Sequence, residues 1–456
     1  MEHAHNLVYR VAYSLLHFVT PMPKLVSVTH LSRATIRHGE SPKRKRWDSF
    51  LGMIFALSGA LFATALFNFG NSGIPIFYLI LLLPFIAVIF SNLRPLRILL
   101  NKSDMRNFWV IANVCICMLA VTFLHVLFDV QPAGFELTHA AMRISFLGYA
   151  ACCLYFMEGN ILISCMYWLR RILTGVALYG IYQLPAKFLN LPLFLDWLRN
   201  NRSYDVYGFD TSGWVSLVRA TSIYPEPSLC TVPVLVLILL TAYLPAPRYS
   251  KVFVWIVVVL FSILTFSRTI WLAIASLVIA GILSRSETFC RKFQRHKLFF
   301  AILLLFLIVA IPIWAFLGSN YKADLSRQER AGSVVIGIQL VQQRPFLGYG
   351  WNSYETLMDA YQINMEDVSP NVSFRTIHNM FVSYAEQAGI VGLLYCIFPF
   401  MLIIFASEAP VGLRLASISS LLAASELGGD VAYTSLFWLW TAIVINWNKG
   451  NLLRKR

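Results

Sequence analysis

Runs of roughly 17 to 25 apolar residues recur along the whole chain, each long enough to cross the hydrocarbon core of a bilayer as a helix. Lipid offers no hydrogen-bond partner to open backbone, so a chain patterned this way is expected to fold as a bundle of helices. Of 456 residues, 58% are hydrophobic and 13% charged, too apolar and too sparsely charged for a soluble multidomain protein. The expectation is an all-α polytopic membrane protein.

The formal charge of +15 does not point to nucleic acid, because the basic residues gather in short segments between the apolar runs. Such segments stay on the cytoplasmic side. "SPKRKR" at 41–46, "RPLRILLNKSDMR" at 94–106, "PAPRYSK" and "RSETFCRKFQRHK" all carry this signature, the last with five Lys or Arg against one Glu. Threading the apolar runs between them gives about twelve spans, near 50–69, 73–91, 107–128, 144–158, 168–185, 228–246, 251–266, 269–284, 298–317, 388–407, 412–426 and 430–447. Both termini are then cytoplasmic. Residues 1–49 form a basic N-terminal segment, 50–317 carry spans one to nine with an outer segment at 186–227, and 318–387 form a large outer loop. Residues 388–447 carry the last three spans, and 448–456 are a cytoplasmic tail. Eight scattered cysteines show no zinc-type spacing, so neither disulfides nor a cysteine metal site is expected.

On this map Ser267 and Arg268, in "ILTFSRTIWLAIA", fall in a very tight turn at the outer boundary. The same face receives Arg219 and Glu226 in "VRATSIYPEPS", then Arg327, Arg330 and Arg344 with Tyr349 in the large loop, then His378 and Asn379 before span ten. Residues 331–343 read as a helix, with Val334, Val335, Ile338 and Val341 at three- and four-residue spacing, ended by Pro345. Along a straight helix Arg330 and Arg344 lie about 20 Å apart, so they do not share one phosphate. Each residue also has a plainer role. Arg268 suits an interfacial anchor, Arg344 complements a helix C-terminus, His378 suits a helix start, and Arg219 and Glu226 suit a mutual pair. Gly348, Gly350, Gly389 and Gly392 read as turn and helix-packing glycines.

"FSRTIWLAIA", an arginine fifteen residues before "PFLGYG", and "HNMFVSYAEQAGIVGLL" together resemble the O-antigen ligase and O-antigen polymerase superfamily of bacterial surface-glycan enzymes. Arg268, Arg330, Gly348, Gly350, His378, Glu386, Gly389 and Gly392 occupy the matching positions, and Val334 stands where the family often has tryptophan. The likeness covers about residues 215–405. It implies a GT-C-like, multi-pass glycosyltransferase of the bacterial inner membrane, working at the periplasmic face on a glycan carried by undecaprenyl pyrophosphate.

Under that resemblance Arg268, Arg330 and His378 are the expected catalytic residues, with Arg219, Glu226, Arg327, Arg344, Asn379 and Tyr349 binding substrate. Arginine forks match pyrophosphate geometry, and a base near neutral pKa suits the attacking hydroxyl. His378 is the leading base and Glu226 the second. No Asp-x-Asp pair lies on the outer face, so no metal and no cofactor are expected. The expected partners are the lipid-linked glycan, membrane lipids and a chain-length regulator protein, without nucleic acid. "RATSIYPEPS" leans toward a polymerase joining lipid-linked repeat units. A ligase acting on lipid A-core is the alternative, and a non-catalytic flippase or exporter the third reading. The last is disfavoured by the scarcity of ionisable residues within the spans.

Overall fold

The computed structural model describes residues 42–62, 65–69, 72–75, 102–128, 133–157, 159–195, 198, 209–211, 215–217, 220–224, 227–317, 325–354, 357, 377–427, 432 and 434–449. Among them the architecture is a helical bundle. Helix α1 spans Pro42–Ala60, α2 Lys102–Leu127, α3 Ala133–Phe156 and α4 Gly159–Phe188. After a 3-10 turn at Pro227–Cys230 come α5 (Thr231–Tyr243), α6 (Arg248–Leu264), α7 (Arg268–Leu283), α8 (Glu287–Arg295) and α9 (Lys297–Leu317). Then follow α10 (Leu325–Gln343), α11 (Met380–Phe405), α12 (Val411–Leu427) and α13 (Ser435–Ile445). Two antiparallel hairpins sit between helices, β1 (Ala65–Phe69) with β2 (Ser72–Pro75) and β3 (Phe209–Thr211) with β4 (Val215–Leu217).

Among the described residues four helices are long and apolar enough to cross a bilayer: Val110–Leu127, Glu136–Phe156, Gly159–Phe188 and Met380–Phe405. Arg268–Leu283 passes together with Glu287–Arg295 as a pair bent by 98°, and Pro227–Tyr243, Lys297–Pro312 and Ser435–Ile445 are shorter apolar helices. The second expected span, 73–91, lies almost wholly outside the described residues.

Three helices differ in extent from the sequence map. The first begins at Pro42 and ends at Ala60, eight residues earlier and nine residues earlier than expected, because Ala65–Phe69 pairs with Ser72–Pro75 as antiparallel strands. The fourth span was expected from 144, but α3 starts at Ala133 and draws Glu136 and Arg143 into a buried helix. The fifth span was expected from 168, but α4 runs unbroken from Gly159, and Arg170 within it donates to Ser250 O and Oγ at 3.2 Å. Acceptors at the start of α6 meet a guanidinium that lipid would not.

Helix α1 packs along α4 and α7 along α12. Gly52 of α1 leaves room for the Ser164–Cys165 backbone of α4, the close approach that small residues permit between apolar helices. Aromatic side chains fill the centre, with Tyr384 stacked on Tyr395 at 5.2 Å and Trp438 against Tyr395 at 5.2 Å. Helix α11 breaks at Ala388 (φ −134°) and Gly389 (φ 57°), which divides a buried outer turn from the apolar span.

Candidate functional site

The turn from α6 to α7 takes three residues. Thr265 N and Phe266 N close it onto Phe261 O and Ile263 O at 3.0 and 3.1 Å, and Phe266 adopts φ 46°, a left-handed conformation that a bulky side chain rarely takes. Leu264 O accepts from Ala220 N at 2.9 Å, which ties "RATSIY" to the turn. Ser267 is buried and Arg268, the first residue of α7, is exposed. No acid occupies the first turn of that helix. A guanidinium at the positive end of a helix is electrostatically unfavourable by itself and becomes favourable with an anion beside it.

A continuous line of contacts leads away from this turn. Arg330 of α10 donates from Nη1 to Thr269 Oγ1 at 3.4 Å, the residue next to Arg268. One turn along α10, Ser333 Oγ donates to Arg330 O at 3.0 Å and accepts from His378 N at 3.2 Å. Asn379 then caps α11, its Oδ1 accepting from Val382 N at 3.0 Å, and its Nδ2 donates to Glu426 Oε2 at 2.5 Å. Glu426 is buried at the end of α12, and its Oε1 has no hydrogen-bond partner among the described residues. The Arg330 guanidinium, the His378 backbone and the Glu426 carboxylate are thereby linked through Thr269, Ser333 and Asn379, with Arg268 next in sequence to Thr269.

The "PFLGYGWNS" loop that follows α10 is fixed by backbone. Tyr349 N and Gly350 N donate to Glu386 O and Gln387 O, both at 2.9 Å. Gly348 has φ 72°, and a Cβ there would meet Glu386 O and Gln387 C at 2.5 Å; a Cβ on Gly389 would strike the Phe346 backbone. The two glycines let two main chains interlock at the break in α11.

Helices α2 and α3 hold the other side of the loop. His125 Nε2 donates to Leu347 O at 2.6 Å, and its Nδ1 lies 2.5 Å from Glu136 Oε1. Glu136 also accepts from Trp351 N at 2.9 Å, and Trp351 Nε1 donates to Thr122 Oγ1 at 2.9 Å. The Arg143 guanidinium sits 4.7 Å from the Trp351 ring and donates to Gln387 Oε1 at 2.5 Å; the same oxygen accepts from Asn352 N at 3.0 Å. Ser353 Oγ donates to Glu386 Oε1 at 2.6 Å. Burial holds the Tyr354 phenol above its ordinary range, and the adjoining Glu386 adds to the rise.

Of the residues expected from sequence, Arg330, His378 through its backbone N–H, and Asn379 join the line of contacts, and Arg268 adjoins it as the sequence neighbour of Thr269. Arg344 and Tyr349 do not. Arg344 lies over the Tyr349 ring at 4.5 Å, Tyr349 Oη donates to Gln343 Oε1 at 2.6 Å, and Gly348 N donates to Arg344 O at 3.0 Å, so this pair closes the far end of α10. Arg219 and Glu226 lie outside the described residues, although their neighbours Ala220 to Tyr224 are buried. Arg327 is in α10 one turn before Arg330, and its side chain lies outside the described residues. His125, Glu136, Arg143 and Glu426 were not singled out from sequence. Among the described residues no three His, Cys, Asp or Glu converge as a metal-ligand group.

Residues 251–397 match the family model described as O-antigen ligase. That match supports the resemblance to the O-antigen ligase and O-antigen polymerase superfamily over this segment. No curated protein matches it. The O-antigen ligase segment contains Arg268, Arg330, the glycine loop, His378 and the break in α11, and its family carries glycosyl-transfer function in surface-glycan synthesis. It stops short of Glu426 on one side and of His125, Glu136 and Arg143 on the other.

Proposed function

We propose that this membrane protein is an O-antigen polymerase, transferring a glycan from undecaprenyl pyrophosphate en bloc onto a lipid-linked repeat unit. The observation that carries the reading is the line of contacts Thr269, Arg330, Ser333, His378 N, Asn379 and Glu426, which starts beside Arg268. An acceptor hydroxyl attacks the anomeric carbon of the donor sugar, the bond from that carbon to the pyrophosphate oxygen breaks, and undecaprenyl pyrophosphate leaves with the electron pair. Arg268 and Arg330 take up the charge that develops on the leaving oxygens, a role in which preorganised donors give their largest return. His378 receives the hydroxyl proton, and Glu426 is hydrogen-bonded to its sequence neighbour Asn379. The cations serve the leaving group without a metal ion.

In this reading the site end faces the periplasm from the inner membrane, both termini are cytoplasmic, and about twelve spans give a GT-C-like bundle. Support for the orientation comes from the cations of α8, which follow the end of α7 away from Arg268, and from Arg170, which meets Ser250 at the start of α6. Arg219, Glu226 and Arg327 would complete the donor and acceptor contacts. A chain-length regulator protein would be a partner of the same face.

The ligase reading, transfer of a finished chain to lipid A-core, is favoured by the description of the matched family model. Purified protein supplied with undecaprenyl-pyrophosphate-linked repeat units separates the two. Longer lipid-linked chains support the polymerase, product only on addition of lipid A-core supports the ligase, and no transfer in either mixture refutes both.

A further inference from the structure

The strongest concentration of exposed charge lies at the opposite end of the bundle from the site, on α8. This helix is nine residues long, "ETFCRKFQR", and turns by 98° from the axis of α7. Its start is built by Ser286, whose Oγ accepts from Phe289 N at 3.2 Å. One side is apolar. Phe293 is 1% exposed, lies 4.9 Å from Phe300 of α9, and carries the Arg414 guanidinium 5.1 Å above its ring. The other side exposes Arg291, Lys292 and Arg295.

That pattern is self-repulsive. Arg291 and Arg295 stand four residues apart and Lys292 and Arg295 three apart, so like charges face each other along one helix surface. Glu287, one turn before Arg291, is the helix's single acid. The flanking Arg285 and Lys297 add two more cations. Arg291, Lys292 and Arg295 are exposed, so a counter-charge can reach them from outside the chain.

The surroundings say which kind. Exposed apolar surface reaches α8 from both sides, through Ile282 and Leu283 at the end of α7 and Leu298 and Phe299 at the start of α9. A helix that crosses the axis where two lipid-facing belts end, with aromatic side chains inward and cations outward, has the pattern of a segment lying in the bilayer interface. We infer that α8 is a headgroup-binding helix, seated on the bundle through Phe293 and Arg414 and held in the membrane plane by acidic phospholipids in contact with Arg291, Lys292 and Arg295.

The test uses the full chain in two kinds of nanodisc, one of phosphatidylcholine alone and one with a large share of phosphatidylglycerol. Amide hydrogen exchange of α8 is followed in each. Attraction of about fivefold per surface cation predicts roughly hundredfold slower exchange in the anionic discs, and raising the salt to about 0.5 M should remove most of that difference. The variant Arg291→Gln/Lys292→Gln/Arg295→Gln keeps helix propensity and the Phe293 seat; it should exchange at one common rate in both discs. Equal exchange of the natural chain in the two lipids overturns the proposal, as does a lipid effect that survives in the triple variant. Slowing by inorganic phosphate in phosphatidylcholine discs also overturns it, by assigning the site to a free anion.

Discussion

Asn379 donates to Glu426 at 2.5 Å with one side-chain atom and caps helix α11 with the other, so the residue that starts one helix also holds the buried carboxylate at the end of α12. Removing it disturbs both. Asn379→Ala should cost about 1 kcal/mol for the cap and about 1–3 kcal/mol more for a buried carboxylate left without its donor. Asn379→Asp keeps a capping oxygen but sets a second carboxylate against Glu426. The pair Asn379→Asp with Glu426→Gln reverses donor and acceptor and should return thermal stability to near that of the natural chain. Thermal unfolding in detergent measures all three, and a double variant no more stable than Asn379→Asp would show that the two residues are not coupled.

Loss of either arginine beside α7 should stop glycan transfer without unfolding the bundle. We expect Arg268→Ala, Arg330→Ala and His378→Ala each to remove long chains from lipopolysaccharide ladders while the protein still accumulates in the membrane. Arg330→Lys keeps the charge and loses the fork; a fall in rate of about 10²-fold is expected when one preorganised donor goes. Wild-type ladders from all three alanine variants would remove the site assignment.

The interlocked glycines make a purely structural prediction. Gly348 and Gly389 both have positive φ, and each faces main chain where a Cβ would sit. Left-handed backbone alone costs a non-glycine residue about 1–2 kcal/mol, and a rigid backbone neighbour does not move aside as a flexible side chain would. Gly348→Ala and Gly389→Ala should each lower the melting temperature more than Gly175→Ala, whose added methyl meets open space.

The buried pair under the loop should behave as a unit. His125→Ala or Glu136→Ala leaves the other group without its closest partner, a change that costs about 3–5 kcal/mol for a buried ion pair. The double substitution should cost clearly less than the sum of the two, because neither then leaves an orphan. A double-mutant cycle on unfolding free energy reads the coupling, and strict additivity would mean that the short contact carries no energy.

The apolar runs make the helical bundle legible, and the tight turn between two apolar helices falls at Ser267 and Arg268 as their spacing puts it. The amphipathic spacing after Arg330 is equally visible: Val334 and Val335 are buried, although α10 begins six residues before the expected start at 331. Glu136 and Arg143 were hidden for a physical reason. A charge near an apolar run reads as loop because burying it alone is prohibitive, and the groups that make burial tolerable, Leu347, Trp351 and Gln387, lie more than two hundred residues away. Glu426 was hidden in the same way at the end of an apolar helix, its donor Asn379 being 47 residues distant. The hairpin at Ala65–Pro75 looked like the end of one span and the start of the next, since its strands are as apolar as a helix would be.

The grip of α2 and α3 on the glycine loop bears on how related chains can be recombined. The segment shared with the O-antigen ligase family begins at residue 251, yet the loop at its centre is clasped by side chains numbered 125, 136 and 143, and its histidine neighbourhood is completed by residue 426. A chimera exchanging only the shared segment would import a loop whose clasp stays behind in the other parent. Successful swaps should need matched donors for those four positions, and a split chain cut outside the bundle's described helices should regain the loop only when both halves are expressed together.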